Sequence, residues 1–222
     1  MTVLLLGLDT ATPVTTVAVV RADMGTGSVE VLDERSHSDP RRHGEVLPVL
    51  VRDALAASSL APADLHAVAV GCGPGAYTGL RVGMATASAL AQSLEIPVFG
   101  AVTLDALAYA SGRTEPFAVV TDARRREVFT SSYRDFRTPD GPAEVGTPEV
   151  IASALRGMPV LALPDTPPLP DVQYEVMPAP SASAVCQVVV DRLRHDVPTQ
   201  AVQPLYLRRP DVTASTTPKS VL

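Results

Sequence analysis

The order of its secondary-structure signals constrains this chain more than any single motif. Residues 3–8 form an unbroken apolar run, the pattern of a strand buried on both faces, and Asp9-Thr10-Ala11-Thr12-Pro13 supplies the turn that stops it. Residues 15–20 and 29–32 read as two more strands, with Gly25 and Gly27 marking the turn between them. Residues 43–57 then carry Val46, Leu47, Leu50, Val51, Ala54 and Leu55 at helical spacing. A short apolar strand, 67–70, runs into Gly71-Cys72-Gly73-Pro74-Gly75, followed by a helix over 78–91, a strand over 97–100 and a helix over 104–110. The predicted order is β-β-β-α-β-α-β-α.

The remainder repeats that order in shortened form. Residues 117–121 and 127–133 pair across a turn centred on Arg124, Arg125 and Arg126; a helix over 150–155, a strand over 160–163 and a helix over 182–193 follow. The proline-loaded stretch 164–180 closes no element. Internal duplication of a β-β-β-α-β-α-β-α unit is the pattern of the α/β superfold shared by actin, Hsp70 and the sugar kinases, a ribonuclease-H-like lobe used twice. The expected division is an N-terminal lobe over 1–101, an abbreviated C-terminal lobe over 102–208, and a Thr- and Ser-containing tail over 209–222 that reads as disordered.

Composition narrows the function. A formal net charge of −6 argues against a protein that grips nucleic acid alone, because phosphate binding rests on clustered Lys and Arg. The arginine run at 124–126 reads first as a solvated hairpin. Aromatics are only 4%, so small and branched aliphatics must fill the core. Cys72 and Cys186 have no metal-like spacing and read as reduced thiols. The opening apolar run is too short for a signal peptide and no stretch has membrane-spanning length, so the expected address is the cytoplasm.

The strongest local signal is the strand, glycine-rich loop and helix through Gly73, Gly75, Thr78 and Gly79. Glycines admit a close backbone approach and a helix N-terminus favours an anion, with Thr78 as the expected N-cap; the alternative is a tight turn that packs helix on sheet. No Gly-Lys-Ser/Thr follows, so this is no Walker loop. Asp9 stands where actin-like folds place an acidic residue near a nucleotide-bound metal. Its turn lacks the usual glycine, Ala11 taking that place, and an Asx turn is the favoured reading. His37, His43, His66 and His195 have no partners at metal-ligand spacing, and no serine or cysteine nucleophile signature is present.

Four motifs in sequence order resemble the TsaB (YeaZ) family: 8–12, Gly73-Pro74-Gly75-Ala76-Tyr77-Thr78-Gly79-Leu80-Arg81-Val82-Gly83, Thr121-Asp122-Ala123-Arg124-Arg125-Arg126-Glu127-Val128-Phe129, and Pro204-Leu205-Tyr206-Leu207-Arg208. The resemblance implies a non-catalytic subunit of the bacterial machinery that makes N6-threonylcarbamoyladenosine in tRNA. Its partners would be the larger paralogue TsaD, met through N-lobe helices, and the ATPase TsaE. Transfer RNA would be met only within that complex, and an isolated chain could pair with a second copy through the same face. It implies no cofactor. The paralogue's His-x-x-x-His metal ligands would fall at Thr103 and Leu107, which cannot replace imidazole. Leu47 and Val51 are the expected partner contacts, Arg81 and Asp122 an expected structural pair, and Arg124 and Arg125, with Arg126, candidates to meet tRNA or a partner. A competing reading is an ATP-binding actin-like enzyme using Asp9 and the Gly73 to Gly79 loop; a self-contained metallopeptidase is the more remote one.

Overall fold

Alternate residues of the first strand point into two different cores. The computed structural model describes residues 1–208 apart from Ala179, so the expected disordered tail lies outside the described residues. Strand β1 (Thr2–Asp9) is central in a sheet ordered β3-β2-β1-β4-β5. It pairs antiparallel with β2 (Thr15–Asp23) and parallel with β4 (Ala67–Gly71); β3 (Val29–His37) and β5 (Val98–Ala101) form the edges. Leu6 and Leu8, with Val17, Val19, Val68 and Val70, pack under α1 (His43–Ala57) and α2 (Tyr77–Leu94). Leu5, Ala18, Val20 and Ala69 face the other way, under α5 (Ala182–Arg194). A sheet covered on both faces explains why β1 and β4 read as continuous apolar runs. Each buried Val or Leu there contributes about 1.5–3 kcal/mol.

The second sheet repeats the pairing scheme. Strand β6 (Phe117–Arg124) is antiparallel to β7 (Glu127–Asp135), which carries β8 (Thr138–Pro139) and β9 (Glu144–Gly146) at its far side. On the other side β6 is parallel to β10 (Val160–Ala162), and β10 to β11 (Tyr174–Val176). Helix α4 (Pro148–Ala154) joins β9 to β10. The two sheets thus share one topology, and the fold is the duplicated actin-like α/β architecture. The proline-rich stretch, expected to close nothing, contains β11. Three residues with parallel pairing to one neighbour leave too short a signal to stand out among prolines.

Each half lends its last helix to the other. Helix α3 (Thr103–Ser111) follows the first sheet, yet its Leu104, Leu107 and Ala108 pack with Phe117, Val119, Phe129 and Tyr133 of the second. Helix α5 follows the second sheet and covers the first. Where the two helices meet, Asp105 of α3 accepts hydrogen bonds from Tyr133 Oη at 3.0 Å and from the Arg192 guanidinium of α5 at 2.9 Å. Burial raises the Asp105 pKa, against the lowering pull of Arg192 and Tyr133.

Candidate functional site

A cleft of about 880 Å³ opens between the two sheets. One wall is the β1–β2 turn and the loop leading into α2; the other is the β6–β7 hairpin and the segment after β10. Among the loop residues marked by sequence, Gly75, Thr78 and Gly79 line this space, whereas Gly73 and Asp9 do not.

Asp9 is locked beneath the cleft. Its Oδ1 accepts the Ala11 N–H at 2.7 Å, an Asx turn, and its Oδ2 accepts the Thr103 hydroxyl at 2.9 Å. Thr103 Oγ1 in turn accepts the Gly73 N–H at 3.2 Å, and the Thr103 N–H donates to the Gly73 carbonyl at 2.7 Å. A side chain at Gly71 would strike the carboxylate, since a Cβ there lies 2.0 Å from Asp9 Oδ2. Burial pushes the Asp9 carboxyl up to about 6, with the Ala11 and Thr103 hydrogen bonds pulling it down. This carboxylate ties three loops together inside the protein.

The glycine-rich segment owes much of its composition to packing. A Cβ at Gly75 would sit 2.1 Å from the Ala11 carbonyl oxygen, and one at Gly79 would sit 2.5 Å from that of Thr10. Thr10 Oγ1 donates to the Gly79 carbonyl at 2.7 Å and accepts the Gly83 N–H at 3.1 Å. The first turns of α2 are therefore pressed onto the β1–β2 turn. Thr78 is not the N-cap: α2 starts one residue earlier, Ala76 occupies the cap in extended geometry, and no side chain caps the helix. Thr78 lies in the first turn, exposed to the cleft.

His43, the first residue of α1, also lines the cleft and is buried, with Nδ1 2.6 Å from Thr15 Oγ1. Burial lowers its pKa, which favours the neutral ring. No local pattern marks this histidine, because its partner lies 28 residues away on β2.

The opposite wall is built from an uncommon hairpin. Arg124, Arg125 and Arg126 all have left-handed backbones, with φ of 63°, 53° and 64°. For residues with a Cβ this costs about 1–2 kcal/mol each. Two braces hold it. Asp122 Oδ1 accepts the Arg124 N–H at 2.7 Å, and its Oδ2 lies 3.1 Å from the Arg124 guanidinium. Arg208 donates to the Ala123 carbonyl at 3.3 Å and pairs with Glu127 at 2.9 Å.

Residues 200–208 strap these parts together. The Leu205 N–H donates to the Cys72 carbonyl at 2.9 Å, and Tyr206 stacks on Tyr77 of α2 with ring centroids 5.2 Å apart. Arg81 lies 4.1 Å over the Tyr77 ring and donates from Nε to Tyr206 Oη at 2.9 Å. The expected pairing of Arg81 with Asp122 is thereby corrected: Arg81 serves the aromatic stack and Asp122 serves the hairpin. The closing motif, the glycine loop and the arginine hairpin, far apart in sequence, adjoin one another here.

Comparison with known proteins bears on the same features. A family model described as "TsaD: tRNA N6-adenosine threonylcarbamoyltransferase" matches residues 30–155. An uncharacterized Mycobacterium tuberculosis protein is 41% identical over 214 residues, covering 93% of this chain and 92% of its own. The Escherichia coli tRNA threonylcarbamoyladenosine biosynthesis protein TsaB is 34% identical over 134 residues, 59% of this chain and 54% of that protein. The structure of YeaZ from Pseudomonas aeruginosa superposes with a TM-score of 0.73 at 27% identity, over 92% of this chain and all of that one. The chain belongs to the TsaB (YeaZ) family.

Thr103 and Leu107, where the sequence resemblance would place a paralogue's metal ligands, are occupied as follows. Thr103 is committed to Asp9 and Gly73, and Leu107 is packed in the core beside Phe117. Among the described residues, no three His, Cys, Asp or Glu converge to hold a metal ion. The chemistry of this donor set does not fit the group. Nor, among the described residues, is any helix long and apolar enough to cross a membrane. The two expected partner contacts of this TsaB-family chain lie at different depths on α1. Leu47 is fully buried against the sheet and Val51 is half-buried, whereas Val49 on the outer side of α1 is 43% exposed. Helical spacing located the apolar face of α1, and Leu47 on that face is covered by the sheet, which leaves it no surface for a partner.

Proposed function

We propose that this chain serves tRNA N6-threonylcarbamoyladenosine synthesis as a non-catalytic subunit that holds and activates a TsaD-type partner in the cytoplasm, joined by a TsaE-type ATPase. The observation that carries the reading is the lock among Asp9, Thr103 and Gly73, with Leu107 sealed in the core beside it. The place where a catalytic relative would hold its metal is filled by hydrogen bonds and packing within the chain itself. Helices α1 and α2 lie on one face of the first sheet, and their outer sides expose Val49 and the small residues Ala85, Ser88 and Ala89. Small side chains let a partner helix approach closely, and an exposed valine among them supplies apolar contact.

Reconstitution tests this. With TsaC, TsaD, TsaE and an unmodified tRNA, omission of this chain is expected to remove most of the modification, and Val49→Asp to abolish co-purification with TsaD without lowering the melting temperature. Full-rate modification without the chain would falsify the proposal. The rival, an independent ATP-binding enzyme, requires Asp9 ionised and open to a bound magnesium nucleotide. Both Asp9 oxygens are engaged within the protein and the residue is buried off the cleft lining, so titration calorimetry with magnesium ATP is expected to show no binding.

A further inference from the structure

We propose that the β6–β7 hairpin is a phosphate-contacting surface through which the assembled complex holds the sugar–phosphate backbone of its tRNA, with Arg126 as the principal contact. This rests on the functional reading above and names the part of the chain that meets the substrate. The turn is closed by the pairing of Arg124 with Glu127, so Arg125 and Arg126 are its two central residues, both at positive φ. Asn-Gly satisfies such a turn without strain, and Arg satisfies it poorly. The backbone therefore does not select arginine here; the side-chain chemistry does.

The local electrostatics point the same way. The hairpin and its brace bring together Arg124, Arg125, Arg126 and Arg208, with Asp122 and Glu127 beside them, in a chain whose net charge is −6. Asp122 is paired with Arg124 and Glu127 with Arg208, so these two carboxylates are engaged away from Arg126. Arg126 is exposed and makes no hydrogen bond or ion pair among the described residues. The two braces hold the turn rigidly, which lowers the ordering cost of binding. A guanidinium fork fits a phosphate oxygen pair, and such contacts position a nucleic acid without reading its sequence.

The test uses the complex with TsaD and TsaE and a tRNA transcript bearing the target adenosine, with affinity measured by filter binding between 50 and 200 mM salt. Arg126→Glu is expected to weaken binding about tenfold at the low-salt end, and Arg126→Gly to weaken it several-fold. Both should lower the slope of log K against log salt by about one, the change for one lost phosphate contact. Arg126→Gly also relieves the backbone, so its melting temperature should rise while affinity falls, and Arg126→Lys should retain most of the slope. Wild-type affinity and slope in both the Glu and Gly variants would overturn the proposal. So would a loss of TsaD co-purification with tRNA affinity per assembled complex intact, which would assign the hairpin to a protein contact. A wild-type complex that assembles and modifies tRNA keeps such a failure separate from failure of the functional reading; one that does neither sinks both.

Discussion

Each half of the molecule begins its sheet with a strand ending near an aspartate, and the two aspartates have met opposite fates. Asp9, at the end of β1, and Asp122, near the end of β6, each accept the N–H two residues ahead at 2.7 Å. There the likeness stops. Asp9 is buried and bonded to Thr103 inside the protein, whereas Asp122 faces the cleft and pairs with Arg124. The halves differ in their cover as well. The first sheet is covered by α1, α2 and the borrowed α5. The second has α4 and the borrowed α3, with a proline-rich segment where a further helix would lie between β10 and β11. Duplication preserved the strand order, then, while the side chains at equivalent corners were free to diverge.

The largest test of this comparison asks whether the halves are energetically separate. Leu104→Ala removes a fully buried side chain that α3 lends to the second sheet, and is expected to cost about 4 kcal/mol. Because α3 and α5 meet at Asp105 and Arg192, both sheets should melt in one transition, with calorimetric and van't Hoff enthalpies equal. Two resolved transitions would mean that the halves are independent.

The next separates the two aspartates. The Asp9 pKa rises from 3.8 unfolded to about 6 folded, so between those values the folded state holds a proton that the unfolded state has lost. Stability should therefore fall as pH rises from about 4 to 6, by about 3 kcal/mol, and level off above. Asp9→Asn should flatten that slope in urea unfolding followed across the pH range. An unchanged slope in this variant would remove Asp9 as its source.

The smallest concerns the strap. Tyr206→Ala loses an aromatic stack and the hydrogen bond from Arg81 Nε at a half-exposed site, worth about 1 kcal/mol together. Tyr206→Phe keeps the stack and should cost only a few tenths, read as a shift in melting temperature.

Much of the fold was legible because it is written in local patterns. The apolar runs of β1 and β4, the helical spacing of α1 and the arginine turn between β6 and β7 all declare themselves within a dozen residues. The site was less so, because its contacts join distant segments. Thr103 to Asp9 spans 94 positions and Arg81 to Tyr206 spans 125. No periodicity reports that α3 and α5 exchange sheets. Thr78 was misplaced as a cap because cap preference names a residue type, and here the extended backbone at Ala76 set the start of the helix.

The helix exchange has a consequence for how the chain comes into being. Until residues 182–194 have left the ribosome, Leu5, Ala18, Val20 and Ala69 lack their main cover, although their strands were made long before. The first sheet must wait, half bare, for most of translation. It is completed by a helix that the second sheet delivers.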